Sequence, residues 1–302
     1  YVSDKLVEYF LLNNSICKII NPISILDPAC GDGELLSACL SSLSSRGISS
    51  KNVSLNGVDI DPEATAAATH RLQSRSPTKI INTNGLCPFN TPNEMGWKTL
   101  RDQLGSKEGF DLIIANPPWG ADIREYMSLL KASNLELFER QHDSSDLFVE
   151  SIIRQLKPLG FAAFIIPDSI FSQERANLRK VLATKTTIKF IGRFGEKIFP
   201  SVNRACAVII VQNTPPDVSS NVDCFRLNAA DRNLIIFNKS TFDDIDKKVS
   251  HKVRHSRFSV EPEYLFNIDL ENKMEFVFNK ILSQKKNIHC FLSSTRGVEL
   301  SK

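Results

Sequence analysis

The stretch that most constrains the fold is Asp111 to Gly120, DLIIANPPWG. A short apolar run, Leu112 to Ala115, stops abruptly at Asn116-Pro117-Pro118-Trp119. A run of this length, ended by prolines, reads as a buried strand with a stiff turn at its carboxyl end, because proline fixes φ and donates no N–H. In open α/β sheets that end of a strand is where ligands bind. The turn offers the side-chain acceptor of Asn116, two rings without N–H groups, and the stacking face of Trp119. That set suits a planar, amine-bearing ring. An ordinary proline turn with a half-buried Trp accounts for the same residues.

Upstream, Ile23 to Cys30 reads as a strand that runs into Gly31-Asp32-Gly33 and then a helix, Glu34 to Leu43. Glycines let backbone approach a ligand closely, and the helix amino end favours negative groups. The spacing is not Gly-x-Gly-x-x-Gly, so the dinucleotide fingerprint is not met. A second strand, Val53 to Ile60, ends in Asp59 and Asp61. A carboxylate at that point is placed to take two ribose hydroxyls, and a turn or capping aspartate is the alternative. Asp61 before Pro62 reads as an N-cap followed by the first helical position.

The alternation continues with a helix, Glu63 to Arg71, and a strand, Thr78 to Thr83, ending at Asn84. A short amphipathic helix around Trp97 to Leu104 precedes the central strand. Residues 120 to 145 form a polar excursion of the kind that makes lids and binding loops. A helix over 146–156, a strand over 160–167, a helix over 169–182 and strands over 187–194 and 204–212 complete the pattern. The linker GEKIFPSVN between the last two strands is too short for a helical crossover, so that pair is expected to be antiparallel. At the start, Leu6, Val7, Phe10 and Leu11 fall at helical spacing with Ser3 as N-cap. Together these predict an α/β, Rossmann-like domain over residues 1–214. Its sheet has seven mostly parallel strands with an antiparallel last strand, and helices cover both faces.

The 302 residues, 42% hydrophobic and 24% charged, are ordinary for a soluble globular protein. A net charge of +3 does not by itself point to nucleic acid. The seven cysteines are scattered without a Cys-x-x-Cys pair, which supports neither a zinc site nor a disulfide framework. Several sit in apolar runs and read as buried thiols of a reducing compartment, the cytoplasm. No signal peptide and no apolar run of about 18 residues is present, so no membrane span is expected. After Thr214 the alternation stops, and residues 215–302 read as an extension. Within it, 221–237 fits one or two edge strands and 271–283 a helix. Lys247 to Arg257, KKVSHKVRHSR, is either a phosphate-contacting strip or a solvated face.

The segments DPACGDGELL, GVDIDP, NTNGL, IANPPWG, GFAAFIIP and KIFPSVNRACAVIIV occur in that order. With them the chain resembles the gamma-class N6-adenine DNA methyltransferases of restriction–modification and related phage-defence systems. The opening segment is similar to their amino-terminal cofactor motif, and TRGVELSK to the approach to their target-recognition domain, which would lie outside this chain. The resemblance implies a class I methyltransferase fold with S-adenosylmethionine as cofactor. Asp27 and the backbone around Ala29, Gly31 and Gly33 would hold the methionine part. Asp59 would take the ribose hydroxyls and Ile60 would pack on the adenine ring. Asn84 stands where the family usually has an Asp that contacts the adenine amine, and its amide oxygen would accept in the same place. Ser3 replaces the usual Pro of the opening motif.

On the substrate side the resemblance implies that Asn116, which also borders the cofactor, and the Pro117 carbonyl accept the two hydrogens of adenine N6. Pro118 would stiffen the turn. Trp119, in place of the commoner Tyr, would stack on one face of a flipped-out base. Phe199 would stack on the other, unless it is a core residue at a strand start. No metal or covalent nucleophile is implied. The partners implied are double-stranded DNA, a target-recognition domain or specificity subunit, and a fused or separate nuclease. Related Asn-Pro-Pro-aromatic enzymes methylate glutamine in proteins or guanine amines in ribosomal RNA. They usually carry Gly where this chain has Ala29-Cys30, and that alternative stays open.

Overall fold

The computed structural model describes residues 1–14, 22–139, 143–198, 204–260 and 263–269, with 274, 277 and 280. The strands are β1 (Ile23–Asp27), β2 (Val53–Asp59), β3 (Thr78–Asn82), β4 (Phe110–Ala115), β5 (Leu156–Pro167), β6 (Thr187–Gly195), β7 (Cys206–Gln212), β8 (Asn221–Arg226) and β9 (His251–Arg254). The helices are α1 (Val2–Asn13), α2 (Glu34–Ser45), α3 (Pro62–Leu72), α4 (Asn93–Leu104), α5 (Met127–Lys131), α6 (Ser144–Ile153), α7 (Ala176–Lys185), α8 (Ala229–Ile236) and α9 (Phe242–Val249).

Successive side chains of a strand point to opposite faces of its sheet, and β4 is divided accordingly. Leu112 and Ile114 belong to one apolar cluster, Ile113 and Ala115 to another. The first cluster includes apolar residues of α1, α2 and α3; the second includes those of α4, α6 and α7. β5 divides in the same way, with Phe161, Ala163 and Ile165 on one face and Ala162, Phe164 and Ile166 on the other. A strand covered on both faces reads as a continuous apolar run, which is how β4 and β5 appear in the sequence.

One sheet runs in the order β3-β2-β1-β4-β5-β7-β6-β8-β9. β1 to β5 pair in parallel, β7 inserts antiparallel between β5 and β6, β8 is parallel to β6, and β9 is antiparallel to β8. The chain winds outward from β1 to β3, then crosses to β4 on the other side of β1. Loops leaving β1 and β4 therefore diverge at their carboxyl ends, and a crevice opens at such a switch point.

The α/β class, the mostly parallel sheet and the antiparallel β7 match the expectation. The seven strands expected over residues 1–214 are β1 to β7; among the described residues the same sheet runs to nine, because β8 and β9 continue it beyond residue 214. Residues 221–237 hold one strand followed by helix α8. Asn228 caps that helix by accepting the Asp231 N–H at 2.8 Å, and this overrides the strand-like run Leu234-Ile235-Ile236. Ser3 is not an N-cap. α1 starts one residue after Tyr1, whose ring is anchored among Phe190, Phe194, Phe225 and Phe242 at centroid distances of 5.2–6.4 Å. Ser3 lies buried inside the helix, beside Cys39. Lys5 reaches Asp246 at 2.6 Å and the Tyr9 hydroxyl donates to Asp223, so α1 is tied to the strands and helices that come after residue 214.

Phe199, the expected helix over 271–283 and the segment TRGVELSK lie outside the described residues, apart from isolated positions in the helix. Among the described residues no helix is long and apolar enough to cross a membrane. Cys30, Cys39, Cys87, Cys206 and Cys224 are buried free thiols. Burial pushes Cys39, Cys87 and Cys206 up to about 12.

Candidate active site

The crevice at the switch point is a cavity of about 390 Å³. The loops after β1, β2, β3 and β4 bring Ala29, Asp59, Ile60, Asn84, Asn116 and Pro118 to its wall. Ser3, Asp27, Gly31, Gly33, Pro117 and Trp119 are not on that wall. Gly85 and Leu86, of the segment NTNGL, and Ile123, Tyr126, Ser144 and Phe148, which lie in none of the motifs, are on it as well and are assigned no site role from the sequence.

At the end of β1, Asp27 is 1% exposed. Its Oδ1 accepts the Ala29 N–H at 3.1 Å, and its Oδ2 is buried with no partner among the described residues. Burial pushes this carboxyl up to about 7, the Ala29 N–H opposes the rise, and the Asp59 charge adds to it. At the end of β2, Asp59 fastens two loops. Its Oδ2 accepts the Gly31 N–H at 2.8 Å and its Oδ1 the Asp61 N–H at 3.0 Å. Asp61 in turn caps α3 by accepting the Glu63 N–H at 2.8 Å, with Pro62 at the first helical position. Ile60 is 59% exposed and leaves an apolar face on the cavity wall.

After β3, the Asn84 oxygen accepts the N–H groups of Leu86 at 2.7 Å and Cys87 at 3.3 Å. Both lone pairs of an amide oxygen are then engaged, so the Asn84 group with remaining capacity is its NH2, a donor. The expectation that the oxygen acts as a free acceptor is therefore altered. Gly85 is required by close approach: a Cβ there would lie 2.0 Å from the Pro28 carbonyl oxygen.

The β4 loop is built differently. Asn116 is exposed on the cavity, and among the described residues nothing hydrogen-bonds its side chain. The loop's backbone is held from α6: Ser144 Oγ donates to the Pro118 carbonyl at 2.7 Å and accepts the Ala121 N–H at 2.9 Å, and Asp143 Oδ1 accepts the Gly120 N–H at 3.0 Å. Trp119 is half-buried and donates its indole N–H to the Ile165 carbonyl at 3.3 Å. It lines a second cavity of about 410 Å³ together with Asp143, Asp168, Arg175 and Arg204. The Asn116–Gly120 turn thus stands between two cavities.

Residues 11–280 match the family described as N-6 DNA Methylase. The chain belongs to this family. Among curated relatives, it is 25% identical over 277 residues to the modification methylase CviBIII of Paramecium bursaria Chlorella virus NC1A, covering 90% of this chain and 58% of that one. It is 32% identical over 184 residues to the type II methyltransferase M.BanIII of Aneurinibacillus aneurinilyticus, covering 58% of this chain and 30% of that one. The chain therefore spans less than two thirds of the length of either relative. Among solved structures, the type I restriction-modification system methyltransferase subunit from Streptococcus thermophilus superposes with a TM-score of 0.63 at 17% identity, over 88% of this chain and 57% of that one. That likeness shows the class I methyltransferase fold.

In this N-6 DNA methylase family member, the basic run Lys247–Arg257 does not form one uniform face. It spans the end of α9, β9 and the turn after it. Lys248 pairs with Asp231 at 3.6 Å and Lys252 with Asp223 at 3.9 Å, while His255 is fully buried.

Proposed function

We propose that the chain transfers a methyl group from S-adenosylmethionine to the N6 amine of adenine in DNA, with the target base turned out of the duplex. The observation that carries this reading is the Asn116 side chain, unbonded among the described residues, sharing one cavity with Asp59 and Asn84. Family membership and the order of the motifs support it.

The residues present fit the cofactor. A cavity of about 390 Å³ lies in the range of small-molecule sites. Asp59 accepts two backbone N–H groups, and a carboxylate has about four acceptor positions, so it retains capacity for two ribose hydroxyls. The buried, unpaired Oδ2 of Asp27 suits an ammonium group, since an unsatisfied acceptor there is costly. Ile60 offers its exposed apolar face to a ring. When bound, the cofactor supplies an electrophilic methyl group on a sulfonium. The chain's own part is positioning and polarisation. Asn116 Oδ1 and the Pro117 carbonyl accept the two N6 hydrogens and raise electron density on the nitrogen. Trp119 is assigned to one face of the base; Phe199, which the resemblance implies for the other face, lies outside the described residues. Site selection in DNA is assigned to a target-recognition domain or specificity subunit, and cleavage to a fused or separate nuclease.

The test is methyl-labelled S-adenosylmethionine offered with duplex DNA, total RNA and a peptide-release factor in separate reactions. Label recovered as N6-methyladenine in DNA is the expected result. Label in ribosomal RNA guanine or in protein glutamine, with none in DNA, overturns the reading.

A further inference from the structure

We propose that Asp143 and Ser144 are positioning residues that clamp the Asn116–Trp119 turn for methyl transfer; this rests on the function proposed above. Pro117 and Pro118 have no N–H to donate, so this part of the turn cannot fasten itself through its own backbone donors. The next two donors, Gly120 and Ala121, go to Asp143 Oδ1 and Ser144 Oγ at 3.0 and 2.9 Å, and the Ser144 hydroxyl closes the set on the Pro118 carbonyl at 2.7 Å. Three backbone groups of the turn thus end on two adjacent side chains.

The anchor is itself held in place. Asp143 caps α6 by accepting the Ser145 N–H at 3.0 Å, Asp146 completes a capping box, and every residue of Ser144–Ile153 is buried. Arg175, from the segment after β5, reaches Asp143 at 3.4 Å and also pairs with Asp146. Burial pushes the Asp143 carboxyl up, but the N–H groups of Gly120 and Ser145 and the Arg175 charge outweigh it and hold it below the usual range. It therefore accepts with its charge intact at neutral pH. Ser144 lines the first cavity and Asp143 the second. A shift of this helix end moves Asn116 relative to both, and a misplacement of about 1 Å costs on the order of 10²-fold in rate.

Ser144→Ala removes two of the three contacts and leaves the Asp143 cap in place. Its single-turnover methyl transfer to DNA should fall on the order of 10²-fold, beyond what any fall in Tm accounts for, with KM for DNA little changed. Hydrogen–deuterium exchange at the Ala121 amide should accelerate. Asp143→Ala should accelerate exchange at Gly120 and lower transfer, and Asp143→Asn, which keeps an acceptor oxygen, should recover much of both. Wild-type transfer and unchanged Ala121 exchange in Ser144→Ala would overturn the proposal, as would a rate loss that only tracks a fall in Tm. If the unaltered protein methylates no DNA, the functional reading falls, and the exchange measurements still decide whether these two side chains hold the turn.

Discussion

At the carboxyl ends of β1, β2 and β3, the polar side chains at or beside the cavity are engaged with backbone: Asp27 with Ala29, Asp59 with Gly31 and Asp61, Asn84 with Leu86 and Cys87. At the end of β4 the arrangement is reversed. There the backbone is held by α6 and the Asn116 side chain is left unbonded among the described residues. The first side shapes its own loops with the same atoms that would meet a ligand, so removing one of them should cost stability and affinity together. Among the described residues the Asn116 side chain fastens no backbone group, so removing it should cost the reaction alone.

The sharpest way to break this contrast is Asn116→Ala. Methyl transfer should fall by at least about 10²–10³-fold, the scale set by loss of one preorganised polar group at a reacting centre. Calorimetric affinity for S-adenosylmethionine and Tm should stay near those of the unaltered protein, because the missing acceptor acts on the transition state. Appreciable turnover would remove Asn116 from its role, and a large fall in Tm would mean that the side chain is structural.

Asp59→Ala is the counterpart on the other side. Cofactor binding should weaken by roughly 1.5–3 kcal/mol, the scale of hydrogen bonds to a charged group. Tm should fall as well, because Gly31 and Asp61 lose their acceptor. Calorimetry showing unchanged affinity would discard the ribose assignment. Weakened binding at constant Tm would show that the bonds to Gly31 and Asp61 contribute nothing to stability, and the contrast would lose its basis.

Much of this is readable in the chain. Local chemistry announces β4 through an apolar run ended by prolines, and α3 through Asp61-Pro62. What escapes depends on which elements come to lie side by side. Ser144 and Phe148 reach the cavity because α6 packs across the ends of β4 and β5, and no local pattern encodes that neighbour. A weaker signal is present: Asp143 and Asp146 have the spacing of a capping box, which places the helix start at 144 rather than 146. Helical spacing puts Phe148 on the apolar face of that helix, where only burial is expected. β9 has four residues and gains its identity from pairing with β8. A strand that short carries little periodicity of its own.

Asp27 tests the engaged side through pH. Its carboxyl, pushed up to about 7 by burial, titrates near 3.9 in an unfolded chain. Between these values the folded protein holds a proton that the unfolded chain has released. The contribution of this group to stability therefore falls as pH rises through the window and is level on either side. Asp27→Asn cannot ionise, so its Tm relative to the unaltered protein should be higher at pH 8 than at pH 5. If the ligand ammonium pairs with Asp27, affinity in the unaltered protein should also rise with pH through about 7, and the variant should lose that slope. A Tm difference independent of pH would refute the assignment of a raised acid, and pH-independent affinity would separate Asp27 from the ligand.

The smallest expected effect sets the limit of the contrast. Asp61 stands two positions after Asp59 on the same loop, yet its carboxylate is turned to the Glu63 N–H and is absent from the cavity wall. An N-cap side chain satisfies one of the unpaired donors of the first helical turn, and its loss costs about 0.5–2 kcal/mol of stability. Asp61→Ala should therefore lower Tm modestly and leave calorimetric affinity for S-adenosylmethionine near that of the unaltered protein, since Pro62 still presets the first helical φ and the Asp61 N–H still bonds Asp59. Paired with Asp59→Ala, this gives two carboxylates in one loop, one whose removal is felt by both fold and ligand and one felt by the fold alone. A fall in affinity for Asp61→Ala as large as that for Asp59→Ala would show that the loop after β2 acts as a single unit, and Asp59 could then no longer be credited with a ligand contact of its own.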